Sequence, residues 1–593
     1  MKPLLRILGL WLVAVWPAAA MAAPPSEAAR TLPARTTHAA RAVIGFQPAG
    51  FADVVSSALA FMAPRLLEAV PNWQLTQWGL QGIIGLDPRL IVDVHPLDSK
   101  SPGLRLRRAA PPGLPKLLLS RPTPANDDAA GWGTASAELV QAAWEASGRL
   151  HRVSGNFITA TFFDELFSHL DPYSHYASPA EASSDRIRRN GRAGVGLSVK
   201  DRAGAFVVTS VQRGGPAAQA GVQVGEHILA VDQQTIQGAD QPALAALLAG
   251  PEGSIVGLTL RLRDGKPHDV AMERVLLPPQ TVFARRIDTM LVIRVTAFAH
   301  NTAARIAQEI IQGVADAPPG PVLHPVQPSP PIHGIVVDLR GNRGGLLRQA
   351  VAAAAMLQPD GTVAITSGRD PDAAHEYRAD GRDLAPGLPV VVLVDGGTAS
   401  SAEVLAASLA DQRRAVVVGS ATLGKGLVQT VFPLPDGGDL VLSWSRVLAP
   451  QRWPLQGLGV LPQVCTSIGA EATARQLEAL VQGRQTMAAA LARHRAARPN
   501  TSPTEVLEIR APCPGVLVPL GTSHHWLDAD LQVARTLIET PTAYEAALLA
   551  PPPSRLGLAA SAGPISAASL RAGSGNAASS PPQPLTRPVA VRN

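Results

Sequence analysis

Between residues 287 and about 460 the chain alternates short, wholly apolar runs with segments of helical spacing, and this restricts its fold more than any other feature. The order is DTMLVIRV, TAARIAQEIIQGV, GIVVDLRG, LLRQAVAAAAML, PVVVLVDG, AEVLAASLADQ and AVVVG. Strands apolar on both faces need cover on both sides, so the pattern predicts an α/β layer structure with a buried sheet. A Pro-rich stretch at 317–331 interrupts it and reads as a surface loop. Upstream, from 192 to about 275, the period changes. GVGLSVK, FVVTSVQ, HILAVDQQ and VGLTLRLRDG are strand-like with Gly or Asp-Gly turns, and only PAAQAGV and DQPALAALLAG are helical. That predicts a compact β-rich module. Residues 49–70 and the stretch LTQWGLQGIIGLDP have helical spacing, 101–133 are Pro-rich and predicted irregular, and two helices are expected to stop before Pro172. Residues 470–548 read as mainly helical, and the Pro/Ser/Ala-rich tail from 551 as disordered. At 593 residues the chain exceeds what one hydrophobic core organises.

The first residues, MKPLLRILGLWLVAVWPAAAMAAPP, join a basic start (Lys2, Arg6) to an apolar run and small residues at Ala20 and Ala22. This is the layout of a secretory signal peptide, cleaved near Ala22 or Ala23, and is too short for a spanning helix. An uncleaved anchor is the competing reading. Two cysteines, Cys465 and Cys513, fit one disulfide in an oxidising compartment or two buried thiols, and lack the CxxC spacing of a structural zinc site. The net charge of +6 includes no Lys/Arg run interleaved with aromatics, so it reads as solvated surface, not a nucleic-acid groove.

Three segments carry candidate chemistry. Gly419, Gly424 and Lys425 fit a phosphate-binding loop, but Gly426 stands where a hydroxyl must ligate magnesium, and the strand-like LVQTVFPL follows where a helix is required. Ser400 with Glu403 makes a capping box, which makes a cap the simplest role for this serine. A serine at a helix start is also placed for acyl transfer, because nearby N–H groups can stabilise an oxyanion. Lys425 could supply the base, since a buried lysine can lose its proton and an arginine cannot. Only six of the 52 basic residues are lysine. The glycine-rich turn of VVDLRGNRGG (336–345) offers N–H groups for an oxyanion, or is an ordinary strand-to-helix loop. No GxSxG surrounds Ser400, HEYRA lacks the second histidine of HExxH, and His524-His525 read as polar surface.

Taken together, LDPYSHYASPAEA (170–182), AGVGLSV, RGGPAAQAGVQVGEHILAVDQQTI, DLRGNRGG and TASSAEVLAASLADQRRAVVVGSATLGKGLVQT resemble the C-terminal processing peptidases, the tail-specific proteases, in content and order. The blocks span about 170–465. The resemblance implies a multidomain α/β chain in which a β-rich PDZ module precedes an α/β peptidase core of crotonase-like layering, with helical flanks. Expected segments are a signal peptide (1–23), a helical and irregular region (24–133), a helical lead-in (134–190) and the PDZ domain (191–278). The core (279–465, with a Pro-rich insertion at 316–333), a helical region (466–548) and a disordered tail (549–593) complete the list.

By the same resemblance Ser400, 25 residues before Lys425, is the nucleophile, Lys425 the base and Gln429 the accessory residue. The oxyanion hole falls on the amide of Ser401 with Gly344 or Gly345, and the carboxylate-binding loop on Gly194, Val195, Gly196 and Leu197. The family needs no cofactor or metal. Implied partners are protein substrates with accessible C-termini and an envelope adaptor, with oligomers compatible; the implied compartment is the periplasm or envelope. This chain departs from the family at Ser401-Ala402, a reversed pair that makes Ser401 a fallback nucleophile, and at Asp395 and Ser420. A catalytically silent PDZ scaffold is the alternative function.

Overall fold

The computed structural model describes residues 45–110, 113–202, 204–212, 214–262, 265–314, 331–518 and 529–550. The expected signal peptide, residues 316–330 of the Pro-rich insertion, His524-His525 and the tail from 551 lie outside them. Among the described residues no helix is long and apolar enough to cross a membrane.

Four helices open the described chain. Pro48–Arg65 packs on Ala129–Ala146, and Asn72–Gly85 on Gly155–Ser168. Their shared core is aromatic, with Trp132, Phe162 and Phe163 fully buried. Gly133 sets one crossing: a Cβ there would lie 2.6 Å from the Ala52 carbonyl oxygen. The stretch 101–133, expected to be irregular, instead contributes strands Gly103–Ala110 and Gly113–Arg121, which join Leu90–His95 in an antiparallel sheet. Leu104 and Leu106 alternate with Arg105 and Arg107, and both leucines are buried against the helices. Two-residue alternation outweighs Pro102 and Pro115 because Pro102 precedes its strand and Pro115 lies on the edge strand Gly113–Arg121.

The β-rich module follows. Its main sheet runs in the order His268–Glu273, Ile255–Arg261, His227–Val231, Ala205–Val211, Leu197–Arg202. Val195, Phe206, Val208, Leu244 and Leu258 are in its separate core.

The α/β core is built on a six-stranded sheet ordered Val282–Ile287, Met290–Val295, Gly334–Asp338, Val390–Val394, Ala415–Gly419, Val464–Cys465. All pairs after the first are parallel. Side chains alternate between two cores. Ile335, Val337, Val392 and Val394 face a layer containing Ala350, Ala402 and Leu405 from helices Leu347–Ala355 and Ser401–Asp411. Val336, Val391, Leu393 and Val416 face Leu531, Leu537 and Tyr544 from helices Ala529–Glu539 and Pro541–Ala547. The continuous apolar runs are therefore explained by helices on both faces. A second, antiparallel sheet (His375–Arg378, Thr362–Ser367, Asp439–Leu448, Leu427–Pro433) lies beside it, and the short strand His175–Ala177 pairs with Asp439–Leu448.

Candidate active site

The parallel strands Gly334–Asp338 and Val390–Val394 end side by side, which brings the loops that follow them together at one end of the sheet. The loops beyond them are fixed by buried polar groups. Arg340 is paired with Asp338 and Asp530, each at 2.9 Å. Asp395 Oδ1 accepts the N–H groups of Gly341, Gly397 and Thr398 at 2.8–2.9 Å, and Oδ2 accepts Val518 N–H at 3.2 Å. The carboxylate at 395 thus organises the turn leading to Ser400. Ser420, the other departure, accepts Val516 N–H at 3.0 Å.

Ser400 sits at the N-cap of helix Ser401–Asp411 with φ 58° and ψ −124°. This is a conformation that costs a non-glycine residue of order 1–3 kcal/mol. It has the capping-box arrangement with Glu403, in which Ser400 N–H donates to Oε2 at 2.7 Å and the Ser400 hydroxyl makes no cap hydrogen bond among the described residues. Ser400 is half-buried. Ser401, the fallback nucleophile, is only 2% exposed and faces inward, its hydroxyl buried without a partner among the described residues.

Glu403 does more than cap. Fully buried, it takes four donors: Thr422 Oγ1 and Gly424 N–H (2.7 Å) on Oε1, and the N–H groups of Ser400 and Lys425 (2.9 Å) on Oε2. One carboxylate oxygen therefore holds the backbones of both candidate dyad residues. Burial pushes its carboxyl above the ordinary glutamate value, and the four donors pull it back. The lysine loop can pass so close because of its glycines: a Cβ on Gly426 would lie 2.1 Å from the Gln456 nitrogen, and Gly424 has φ 87°. This close backbone approach accounts for the glycines without any phosphate.

Lys425 is half-buried, and its ammonium lies 4.7 Å from the centre of the Tyr173 ring. Desolvation lowers its pKa from 10.5, opposed by the charges of Asp171 and Glu403. Among the described residues its Nζ makes no hydrogen bond. Gln429 is not bonded to it. The Gln429 amide donates to Ser443 Oγ (3.0 Å) and Leu427 O (3.2 Å).

The glycine turn lies against the serine, but its two glycines are not equivalent. A Cβ on Gly344 would lie 2.8 Å from Ser400 Cβ, so the backbones touch. Gly344 N–H, however, already donates to Asn342 Oδ1 at 2.8 Å. Gly345 N–H and Ser401 N–H donate to nothing among the described residues. Gly345, with φ 143°, admits no side chain: a Cβ would lie 2.2 Å from Phe298 O.

In the β-rich module, Val195 O and Gly196 O accept Ala217 N–H (2.9 Å) and Gln212 N–H (2.8 Å). Across planar trans peptides the N–H groups of Gly196 and Leu197 then point the opposite way. Residues 191–199, including Gly194, line a groove of about 950 Å³ walled by Leu244 and Leu248 and, from the core, by His300 and Arg305. Cys465 and Cys513 form a disulfide, their Cα atoms 5.8 Å apart. Sequence reasoning gave Glu403 only a capping role and passed over Asp171, Tyr173 and Ser443. The LDPYS segment served as a landmark, and nothing in it signals proximity to a lysine 252 or more residues later.

Residues 290–466 match peptidase family S41, and residues 207–262 match the PDZ domain. A carboxy-terminal-processing protease of Bartonella bacilliformis is 31% identical over 297 residues, which are 50% of this chain and 66% of that protein, just under two thirds of its length. A carboxyl-terminal-processing protease of Synechocystis is 29% identical over 314 residues, 51% of this chain and 70% of the relative. Among solved structures, the photosystem II D1 C-terminal processing protease aligns at 27% identity with a TM-score of 0.29, covering 54% of this chain and 86% of that one.

Proposed function

We propose that the chain is a C-terminal processing peptidase, a PDZ-containing serine protease, and that it acts as an exported endopeptidase with a Ser400/Lys425 dyad; the peptidase S41 and PDZ matches and the similarity to carboxy-terminal-processing proteases support the first part. The observation that carries this reading is the shared clamp: Glu403 Oε2 holds the N–H of a strained serine and the N–H of a lysine whose pKa is depressed. Neutral Lys425 takes the Ser400 hydroxyl proton as Oγ bonds to the scissile carbonyl carbon. The resulting oxyanion lies between Ser401 N–H and Gly345 N–H. Lys425 then gives its proton to the departing amine, and the acyl-enzyme is hydrolysed by water with Lys425 again as base. Substrate C-termini enter the PDZ groove as an added strand, the carboxylate on the N–H groups of the 194–197 loop and an apolar last side chain against Leu244 and Leu248. Export is supported by the signal-like N-terminus and by the disulfide, which persists in oxidising compartments.

The test is cleavage of an unstructured polypeptide with an apolar C-terminus by the parent protein and by Ser400→Ala and Lys425→Ala. Loss in both variants is expected. Equal cleavage by either variant removes the dyad, and cleavage that survives Ser400→Ala but not Ser401→Ala moves the nucleophile by one residue. A parent protein that binds the substrate without ever cleaving it supports the silent scaffold.

A further inference from the structure

Gln429 stands where the family resemblance expects a partner for the lysine, yet its amide ends on Ser443 Oγ. That hydroxyl donates to Asp171 Oδ1 at 2.7 Å. Asp171 is a hub. Oδ1 also accepts the N–H groups of Tyr173 (3.0 Å) and Ser174 (3.1 Å), and Oδ2 accepts Ser174 Oγ. Ser174 Oγ in turn accepts Ser443 N–H at 2.9 Å, which stitches the 171–174 turn to strand Asp439–Leu448. The turn is thus rigidly mounted on the core sheet. It presents two things to Lys425, an aromatic face at 4.7 Å and a carboxylate whose charge the ammonium feels. On the lysine's own loop, Gly426 N–H donates to Gln456 Oε1 at 2.9 Å, which fixes the backbone next to Lys425.

We infer that Asp171 and Tyr173 are positioning residues for Lys425: the ring seats the ammonium, the carboxylate sets its charge, and Gln429 acts on Asp171 through Ser443. This rests on the Ser400/Lys425 reading. The charged and titratable groups around the lysine are Asp171 and Tyr173 from the turn and Glu403 from helix Ser401–Asp411. Arg510 of helix Pro503–Arg510 is felt by Glu403 from the other side. An anion and an aromatic face both favour the ammonium over the amine. Burial favours the amine. The turn therefore keeps the base from being neutral too readily and holds Nζ in one place, a compromise between proton affinity and availability.

The experiment is the pH profile of kcat/KM for the parent, Asp171→Asn, Tyr173→Phe, Tyr173→Leu, Ser443→Ala and the Ser443→Ala/Gln429→Ala pair, with each variant's thermal unfolding recorded. Asp171→Asn removes the anion without opening the site, so the acid limb is expected to move down by about one pH unit. Tyr173→Leu keeps the apolar bulk but not the ring and moves it the same way by less, whereas Tyr173→Phe leaves it in place. Adding Gln429→Ala to Ser443→Ala is expected to change nothing further. An unmoved limb in folded Asp171→Asn overturns the proposal; should that variant not fold, an unmoved limb in Tyr173→Leu does so. Lys425→Ala separates the two claims. If it keeps the parent's activity and limb, the dyad reading fails; if it abolishes activity while Asp171→Asn leaves the limb unmoved, only the positioning role fails.

Discussion

Replacing Glu403 perturbs stability and chemistry through different atoms. In Glu403→Ala, four donors, the N–H groups of Ser400, Gly424 and Lys425 and the Thr422 hydroxyl, lose their acceptor in a fully buried position. An orphaned buried donor costs about 1–3 kcal/mol. Water entering the vacated space restores part of this, which brings the expected loss to about 3–5 kcal/mol. Glu403→Gln is gentler. With its amide nitrogen on the Oε1 side, the Thr422 hydroxyl can turn to accept, and only Gly424 N–H is stranded, for about 1–3 kcal/mol. Its carbonyl oxygen stays on the Oε2 side and still holds Ser400 and Lys425. The two substitutions should therefore differ more in catalysis than in stability. Glu403→Ala frees both dyad backbones, and misplacement of about 1 Å costs roughly 100-fold in rate; Glu403→Gln is expected to keep most of its turnover. Urea unfolding gives the first quantity and kcat/KM on a peptide substrate the second. A folded Glu403→Ala protein with parental stability and parental turnover would refute the shared-clamp reasoning.

Other outcomes follow from the same geometry. Ser400→Gly removes the nucleophile but suits φ 58°, ψ −124°, so it should be inactive and about 1 kcal/mol more stable; a lower Tm than the parent contradicts the strain. Cys465 and Cys513 are 48 residues apart, and closing such a loop stabilises by about 4 kcal/mol on chain-entropy grounds. The Cys465→Ser/Cys513→Ser protein should show a loss approaching that in denaturant unfolding. It should also lose turnover, because Val516 and Val518 just beyond Cys513 are bonded to Gly396, Ser420 and Asp395. Leu248→Arg in the groove wall should raise KM for substrates with apolar C-termini and leave kcat nearly unchanged, measured by steady-state kinetics on matched peptides.

How much of this was legible in the sequence depended on the range of the interactions. The strands at 334–338, 390–394 and 415–419 are apolar on both faces, which leaves a covered sheet as their only stable setting. The sheet formed by 90–121 was missed because its prolines were read as breaks, although Leu104 and Leu106 alternate with arginines. Ser400, Lys425 and the glycine turn were found through motif spacing, and Glu403 as a local cap. The second half of Glu403's work was not, since it requires the 422–425 loop to return across the helix start. The choice between Gly344 and Gly345 rests on the Asn342 side chain accepting one N–H, a detail of side-chain conformation that no motif encodes. Asp171 and Tyr173 reach the lysine only because strand His175–Ala177 pairs with Asp439–Leu448, a contact of long sequence separation.

The dyad is tested most directly by reacting the protein with a fluorophosphonate across pH and locating the adduct by peptide mass spectrometry. Lys425 must be neutral to activate Ser400. Because burial lowers its pKa from the ordinary lysine value, the labelling rate should be low in acid and rise with pH, its midpoint displaced below that of an exposed lysine, with the adduct on Ser400. Lys425→Ala should abolish the rise. Labelling that maps to another residue, or a pH dependence unchanged in Lys425→Ala, would contradict the account.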